Sequence, residues 1–202
     1  IRLRFFGGRE FAEDLDEQKN FVAKAYEDGV PMGQDLPAKP NDAKAPTFAV
    51  WALKDPDSGN LDRVQIIKGW YQNGYPQEKI YDVVWSDNRQ PDSSTGKLPP
   101  VGNTVNISAA TYTNSIGDTQ LSAVWTDPDF KPEHHAVYYV RVLEIPTPRW
   151  STYDAKALGM SPPEGVAPTI QERAWSSPIW YTPDASMATK APFYPNLHQI
   201  MN

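Results

Sequence analysis

Proline recurs throughout this chain, at 20 of 202 positions, about twice its usual share of about 5%. Each proline ring fixes φ and removes a backbone donor, so long helices are disfavoured almost everywhere. What lies between the prolines and their turns reads as strands: residues 47–53, 61–70, 79–86, 104–111, 120–126, 137–144 and 177–181. Seven short strands of this kind predict a mainly β fold, an immunoglobulin-like or related antiparallel β-sandwich.

The turns supply a mechanism for the interruptions. DPDSGN at residues 55–60 and DPDFKP at 127–132 place Asp at the first turn position and Pro at the second, where the ring presets the backbone. Asn73-Gly74 is a hairpin signal. Before the strands, RLRFF at residues 2–6 alternates in the strand manner, and DLDEQKNFVAKAY at 14–26 carries the one good helical signal, with Asp14 or Asp16 able to cap it and Gly29 to follow it. The Pro/Gly-rich run at 29–46 is aperiodic. The expected organisation is therefore a lead-in over 1–46 (strand, short helix and connector, or the end of a preceding domain), a sandwich over 47–183 and a tail over 184–202. Two long loops are expected, at 87–103 and 145–174; loops of that length usually carry a function.

Side-chain parity assigns the core. Tyr81, Val83 and Trp85 share one face of their strand and Leu121, Ala123 and Trp125 share one face of theirs. Burying such side chains contributes roughly 1.5–3 kcal/mol each.

Charge and composition narrow the function. A net charge of −6 argues against a nucleic-acid groove or an anionic membrane surface, both of which reward clustered Lys and Arg. No stretch approaches the roughly 20 apolar residues of a membrane span. With no cysteine, thiol catalysis and cysteine–zinc sites are excluded, and the compartment stays open, an exported or periplasmic one included. His134 and His135 are strand neighbours that point to opposite faces, a poor grip for one metal ion. DPDSGNLD departs from a calcium loop in its glycine and its fifth position. No GxSxG elbow and no phosphate-binding glycine loop occurs. Asn106-Ile107-Ser108 fits a glycosylation sequon in an unfavourable strand setting. The residues point to no catalytic group and no cofactor.

Two segments have the chemistry of recognition. In the 145–174 loop, PTPRWSTYDA brings Arg149, Trp150, Tyr153 and Asp154 together: a planar cation, two aromatics and an acid. The same residues could instead pin the loop, Trp150 against the sandwich and Arg149 paired with Asp154. Near the end, ERAWSSPIWYTP at 172–183 packs aromatics around prolines. Residues 177–181 should be the closing strand beside the 137–144 strand, at an edge or bulged at Pro178, which lacks an amide hydrogen. Parity puts Ile179 with Ser177 and Tyr181 and sends Trp180 to the opposite face.

The runs GVPMGQDL (29–36), DPDSGNLDRVQIIKGW (55–70), KLPPVGNTV (97–105), SAVWTDPDF (122–130), YYVRVLEIPTPRWSTYDA (138–155) and TIQERAWSSPIWYTP (169–183) resemble, in order, the C-terminal region of a bacterial family, domain of unknown function 3604. Gln34, Arg9 and Glu10 depart from its pattern. The N-terminal part of that family is similar to the PHP (polymerase and histidinol phosphatase) metal-dependent phosphoesterases. Its His-x-His and Asp-x-His ligand patterns do not occur here.

The resemblance, with a first residue that is not Met, implies that the natural polypeptide extends further toward the N-terminus. It implies a non-catalytic C-terminal accessory domain that packs on the metal-dependent hydrolase domain of its own polypeptide, with the divalent metal held there and a small anionic substrate as a further partner. Arg149, Trp150, Tyr153, Asp154 and Trp180 are the substrate or interface candidates. The alternative is a module binding carbohydrate or another ligand through exposed aromatics at Trp150, Trp175 or Trp180.

Overall fold

The structure, a computed structural model, describes residues 1–37 and 44–183. The 184–202 tail, which includes His198, and residues 38–43 of the connector lie outside the described residues. Among the described residues ten strands form two sheets: β1 (Arg2–Gly8), β2 (Gly29–Pro31), β3 (Asp35–Leu36), β4 (Thr47–Leu53), β5 (Leu61–Gln72), β6 (Tyr75–Trp85), β7 (Gln120–Thr126), β8 (Ala136–Pro148), β9 (Thr169–Trp175) and β10 (Ile179–Tyr181). The smaller sheet has the order β2-β1-β4-β7. The larger runs β3-β10-β8-β5-β6, with β9 also on β8. All pairings are antiparallel except that of β3 with β10. The fold is mainly β, a two-sheet sandwich, as the strand pattern predicts.

The core lies between the sheets. Phe5, Phe48, Val50 and Leu121 of the smaller sheet meet Val64, Ile66, Tyr138, Val140 and Ile179 of the larger. Ala123 and Trp125 join Leu121 there. The parity of Tyr81, Val83 and Trp85 holds for Tyr81, whose ring packs on Trp125, and for Val83, and breaks at Trp85, because the β5–β6 register shifts at Val64/Gln65. A bulge puts one extra residue in a strand, so Val83 and Val84 both pack on the core, while the Trp85 indole donates to the Arg89 carbonyl at 2.7 Å.

The lead-in is woven into the sandwich: β1 pairs along its whole length with β4, and β2 and β3 pair with β1 and β10. The helix expected over 14–26 divides into a 3-10 turn at Leu15–Glu17 and α1 (Phe21–Asp28). Phe11, Leu15, Phe21 and Ala25 close over Phe6 and Ala49 on the outer face of the smaller sheet. Arg9 spans from β1 to the far sheet, its guanidinium over the Phe130 and Tyr181 rings.

Turn chemistry is as expected. Asp55 accepts the Asp57 amide and Asp127 the Asp129 amide. Asn73 and Gly74 both have positive φ, the geometry of a type I′ hairpin. Two expectations fail. Residues 104–111 form no strand, only an isolated bridge between Asn106 and Thr111. The 145–174 loop is largely ordered: β8 continues to Pro148, α2 spans Trp150–Leu158, and β9 returns along β8, so a second helix joins the single one expected.

Candidate functional site

The start of β1, the 54–60 turn, residues 86–118 and the segment from Glu144 through α2 converge at one end of the sandwich, through the pairings Arg2↔Leu53, Leu53↔Gln120 and Leu61↔Glu144. Helix α2 dominates this end. Arg149, extended at φ −64°, ψ 152°, precedes it, and Gly159 in the left-handed region (φ 65°) closes it as the Met160 amide reaches back to the Ala155 carbonyl. Its polarity is inverted. Ser151, Thr152 and Ala155 are buried, and Thr152 Oγ1 donates to the Pro168 carbonyl at 2.7 Å. Trp150 and Leu158 are 70% and 72% exposed, with Tyr153 beside them.

Four of the five candidates therefore come together. Trp150, Tyr153 and Asp154, spaced i, i+3, i+4, share the outer helix face, with Arg149 at its start. Pinning by Trp150 is ruled out by its exposure. Among the described residues no Arg149–Asp154 ion pair forms; Arg149 Nε donates to the Ala167 carbonyl at 3.0 Å, tying the helix to the returning chain. Trp180 stands apart. It faces Val137 near the start of β8, whereas α2 follows the end of that strand. The parity reading of its strand holds: Ile179 and Tyr181 are buried and Trp180 is half exposed. Ser176 and Ile179 both engage β8, at Val140 and Tyr138, so three steps of this strand match two of β8 and the bulge accommodates Pro178.

At the same end of the sandwich lie polar groups that residue patterns did not flag. The buried Asp62 carboxylate accepts Arg89 Nη2 at 2.6 Å, Arg63 Nε at 3.1 Å and Gln171 Nε2 at 2.9 Å. Arg89 also donates to the Ser86 and Pro99 carbonyls, fixing the 87–103 loop. Asp62 and Asp82 balance Arg63 and Arg89, which makes this a neutral clip. The available signal was weak: adjacent Asp and Arg in an otherwise apolar strand.

Glu144 is more unusual. It is only 2% exposed; Ser58 Oγ donates to it at 2.5 Å, and no basic side chain pairs with it among the described residues. Burial pushes its carboxyl above the ordinary Glu range, with Glu172 adding to the rise, while the Ser58 bond, the amino terminus and the Gly59 amide oppose it. Burial also raises the Tyr112 hydroxyl, with Tyr153, Glu144 and Asp57 contributing.

At the opposite end, Lys68 Nζ donates to Asp127 Oδ2 at 2.6 Å and to the Asp129 carbonyl at 2.8 Å, and the Tyr138 hydroxyl meets Asp127 Oδ2 at 2.7 Å. Both of these donors, the Lys68 ammonium and the Tyr138 hydroxyl, have acceptors. Among the described residues no three His, Cys, Asp or Glu side chains are grouped to hold a metal ion, and no helix is long and apolar enough to cross a membrane. The arrangement at the α2 end offers an exposed aromatic face on a rigid polar base, which suits binding.

No curated protein and no solved structure matches the chain. One family model does, over residues 1–183, and the chain belongs to that family, described as a protein of unknown function (DUF3604).

Proposed function

We propose that this domain is a non-catalytic accessory module that docks, through the exposed face of α2, on a metal-dependent, phosphoesterase-like hydrolase domain of its own polypeptide. The inverted polarity of α2 carries the reading. A surface helix normally turns its large apolar residues inward, but here Trp150, Tyr153 and Leu158 face out while Ser151, Thr152 and Ala155 seat the helix. Aromatics of this kind anchor interfaces. Ile1 lies at the same end, within electrostatic reach of Glu144, so a polypeptide preceding it would arrive beside α2. The divalent metal and the hydrolytic chemistry belong to that preceding domain. Arg149, with its Nε held by the Ala167 carbonyl, is in this reading the cation that meets a small anionic substrate at the shared boundary.

Amide hydrogen exchange tests the docking. In a polypeptide that includes the preceding domain, the Trp150–Leu158 amides should exchange more slowly than in this chain alone; equal rates would reject it. Catalysis is tested separately with bis(p-nitrophenyl) phosphate and Mn²⁺. Turnover by this chain alone that a chelator abolishes would overturn the non-catalytic assignment.

A further inference from the structure

Away from α2, no helix among the described residues covers the outer face of the larger sheet. The geometry points to a saccharide-binding platform on it, built on Trp180 and Trp175. Trp175 pairs with Arg141 and Trp180 with Val137 on β8, so both indoles project from one face, four β8 residues apart, about 13 Å at the usual rise per residue. Tyr139 stands on the same face between those register positions. The two indoles are 57% and 50% exposed, and neither N–H has a partner among the described residues.

Beside Trp180 lies a cleft of about 370 Å³. Gly69 forms its floor opposite Val137, where a Cβ would come within 3.0 Å of Val137 Cγ1; the missing side chain keeps the cleft open. Tyr71 and Pro76 supply the far wall, and His135 and Thr182 stand at the rim, while Gln77, paired with Trp70 and so turned to the other face, contributes its backbone carbonyl. Among the described residues no Lys, Arg, Asp or Glu lines it.

These features select a ligand. An uncharged lining disfavours nucleotides and charged peptides, and a flat indole beside polar side chains matches a pyranose ring, which has one apolar face and an equatorial belt of hydroxyls. Aromatic surfaces with one apolar and one polar side serve such amphipathic partners well. Two indoles about 13 Å apart, on the order of the spacing set by four strand residues, fit a linear oligosaccharide that spans both. The ligand class is therefore a neutral oligosaccharide of several pyranose units, with its end ring in the Trp180 cleft.

The test uses the 202-residue chain with cellohexaose, xylohexaose, laminarihexaose and maltohexaose as probes, read by tryptophan fluorescence and by retardation in gels containing the matching polysaccharides. At least one hexasaccharide should bind, and more tightly than its disaccharide. Trp180→Ala should weaken that binding about tenfold or more, Trp175→Ala should weaken the hexasaccharide but not the disaccharide, and Thr182→Ala should weaken both while all three variants melt with the parent chain. Failure of all four hexasaccharides, binding unchanged by Trp180→Ala, or retention of a proline decapeptide in their place would overturn the proposal. None of these outcomes bears on α2, so the docking reading stands or falls separately.

Discussion

Two carboxylates at opposite ends of the sandwich are buried to the same extent, 2% exposed at Asp127 and at Glu144, yet the two are solvated by the protein in opposite ways. Asp127 faces a lysine ammonium and a tyrosine hydroxyl at 2.6 and 2.7 Å, and its other oxygen accepts the Asp129 amide. Glu144 has a serine hydroxyl and the Gly59 amide, with Glu172 as an acidic neighbour. Burying a charge is costly unless it is paired and hydrogen-bonded. The Asp127 end meets that condition; the Glu144 end meets only half of it, and it is the end where the long loops gather and α2 turns its aromatics outward. One end closes the fold, while the other holds a carboxyl whose charged form the fold disfavours.

The largest expected effect breaks the well-paired end. Asp127→Ala leaves Lys68, whose side chain is 5% exposed, without its carboxylate and strips the Tyr138 hydroxyl of its acceptor. Breaking a buried pair from one side costs about 3–5 kcal/mol, and urea unfolding should show a loss of that size. Asp129→Ala removes an ion pair with Lys79 whose partners are half exposed, and should cost no more than about 1 kcal/mol. Equal losses would mean that burial does not distinguish the two aspartates.

At the other end the expected sign reverses. The Glu144 pKa is raised in the folded state, so the stability linked to its protonated form is fully present below the unfolded pKa and is lost as pH rises through the folded one. Glu144→Gln, whose amide oxygen can still accept the Ser58 hydroxyl, removes that loss. The variant and the parent should melt together at about pH 3.5, below the ordinary Glu pKa of about 4.3, and the variant should melt higher at pH 7. A parent that gains on the variant as pH rises would show that the carboxylate is stabilised as the anion. Acetylating Ile1 removes a charge that favours the ionised carboxylate and should widen the gap at pH 7 further.

The contrast between the ends was only partly legible in the sequence. Strands β4 and β7 were readable to the residue because apolar runs were bounded by turn residues, and Asn73-Gly74 announced its hairpin. The Asp127 turn was legible as a turn, but its lysine partner lies 59 residues away in sequence and only the pairing of the sheets brings it near. Helix α2 gave little signal because it follows Pro146 and Pro148 and opens on Ser151, Thr152, Tyr153 and Asp154, a run of weak helix formers. The helix at 14–26 was placed correctly but drawn too long: it breaks at residues 18–20, where Asn20 makes no side-chain cap bond. Trp150, Tyr153 and Asp154 were found together by composition; the Asp62–Arg89 clip was not, since it joins residues 27 apart through a strand irregularity at Leu61/Arg63.

The smallest expected effect falls within α2 itself and sharpens what that end is for. Thr152 is 1% exposed and donates to the Pro168 carbonyl, so Thr152→Val loses a buried hydrogen bond and should cost about 1 kcal/mol. Trp150, two residues away on the opposite face, buries little, and alanine is the better helix former. Trp150→Ala should therefore change stability by no more than about 0.5 kcal/mol in either direction. If it costs as much as a core aromatic, about 3–5 kcal/mol, the helix is held from its outer face and Trp150 belongs to the fold. If the change is small, the largest side chain of α2 contributes nothing to holding the domain together, and its place on the surface is left to recognition.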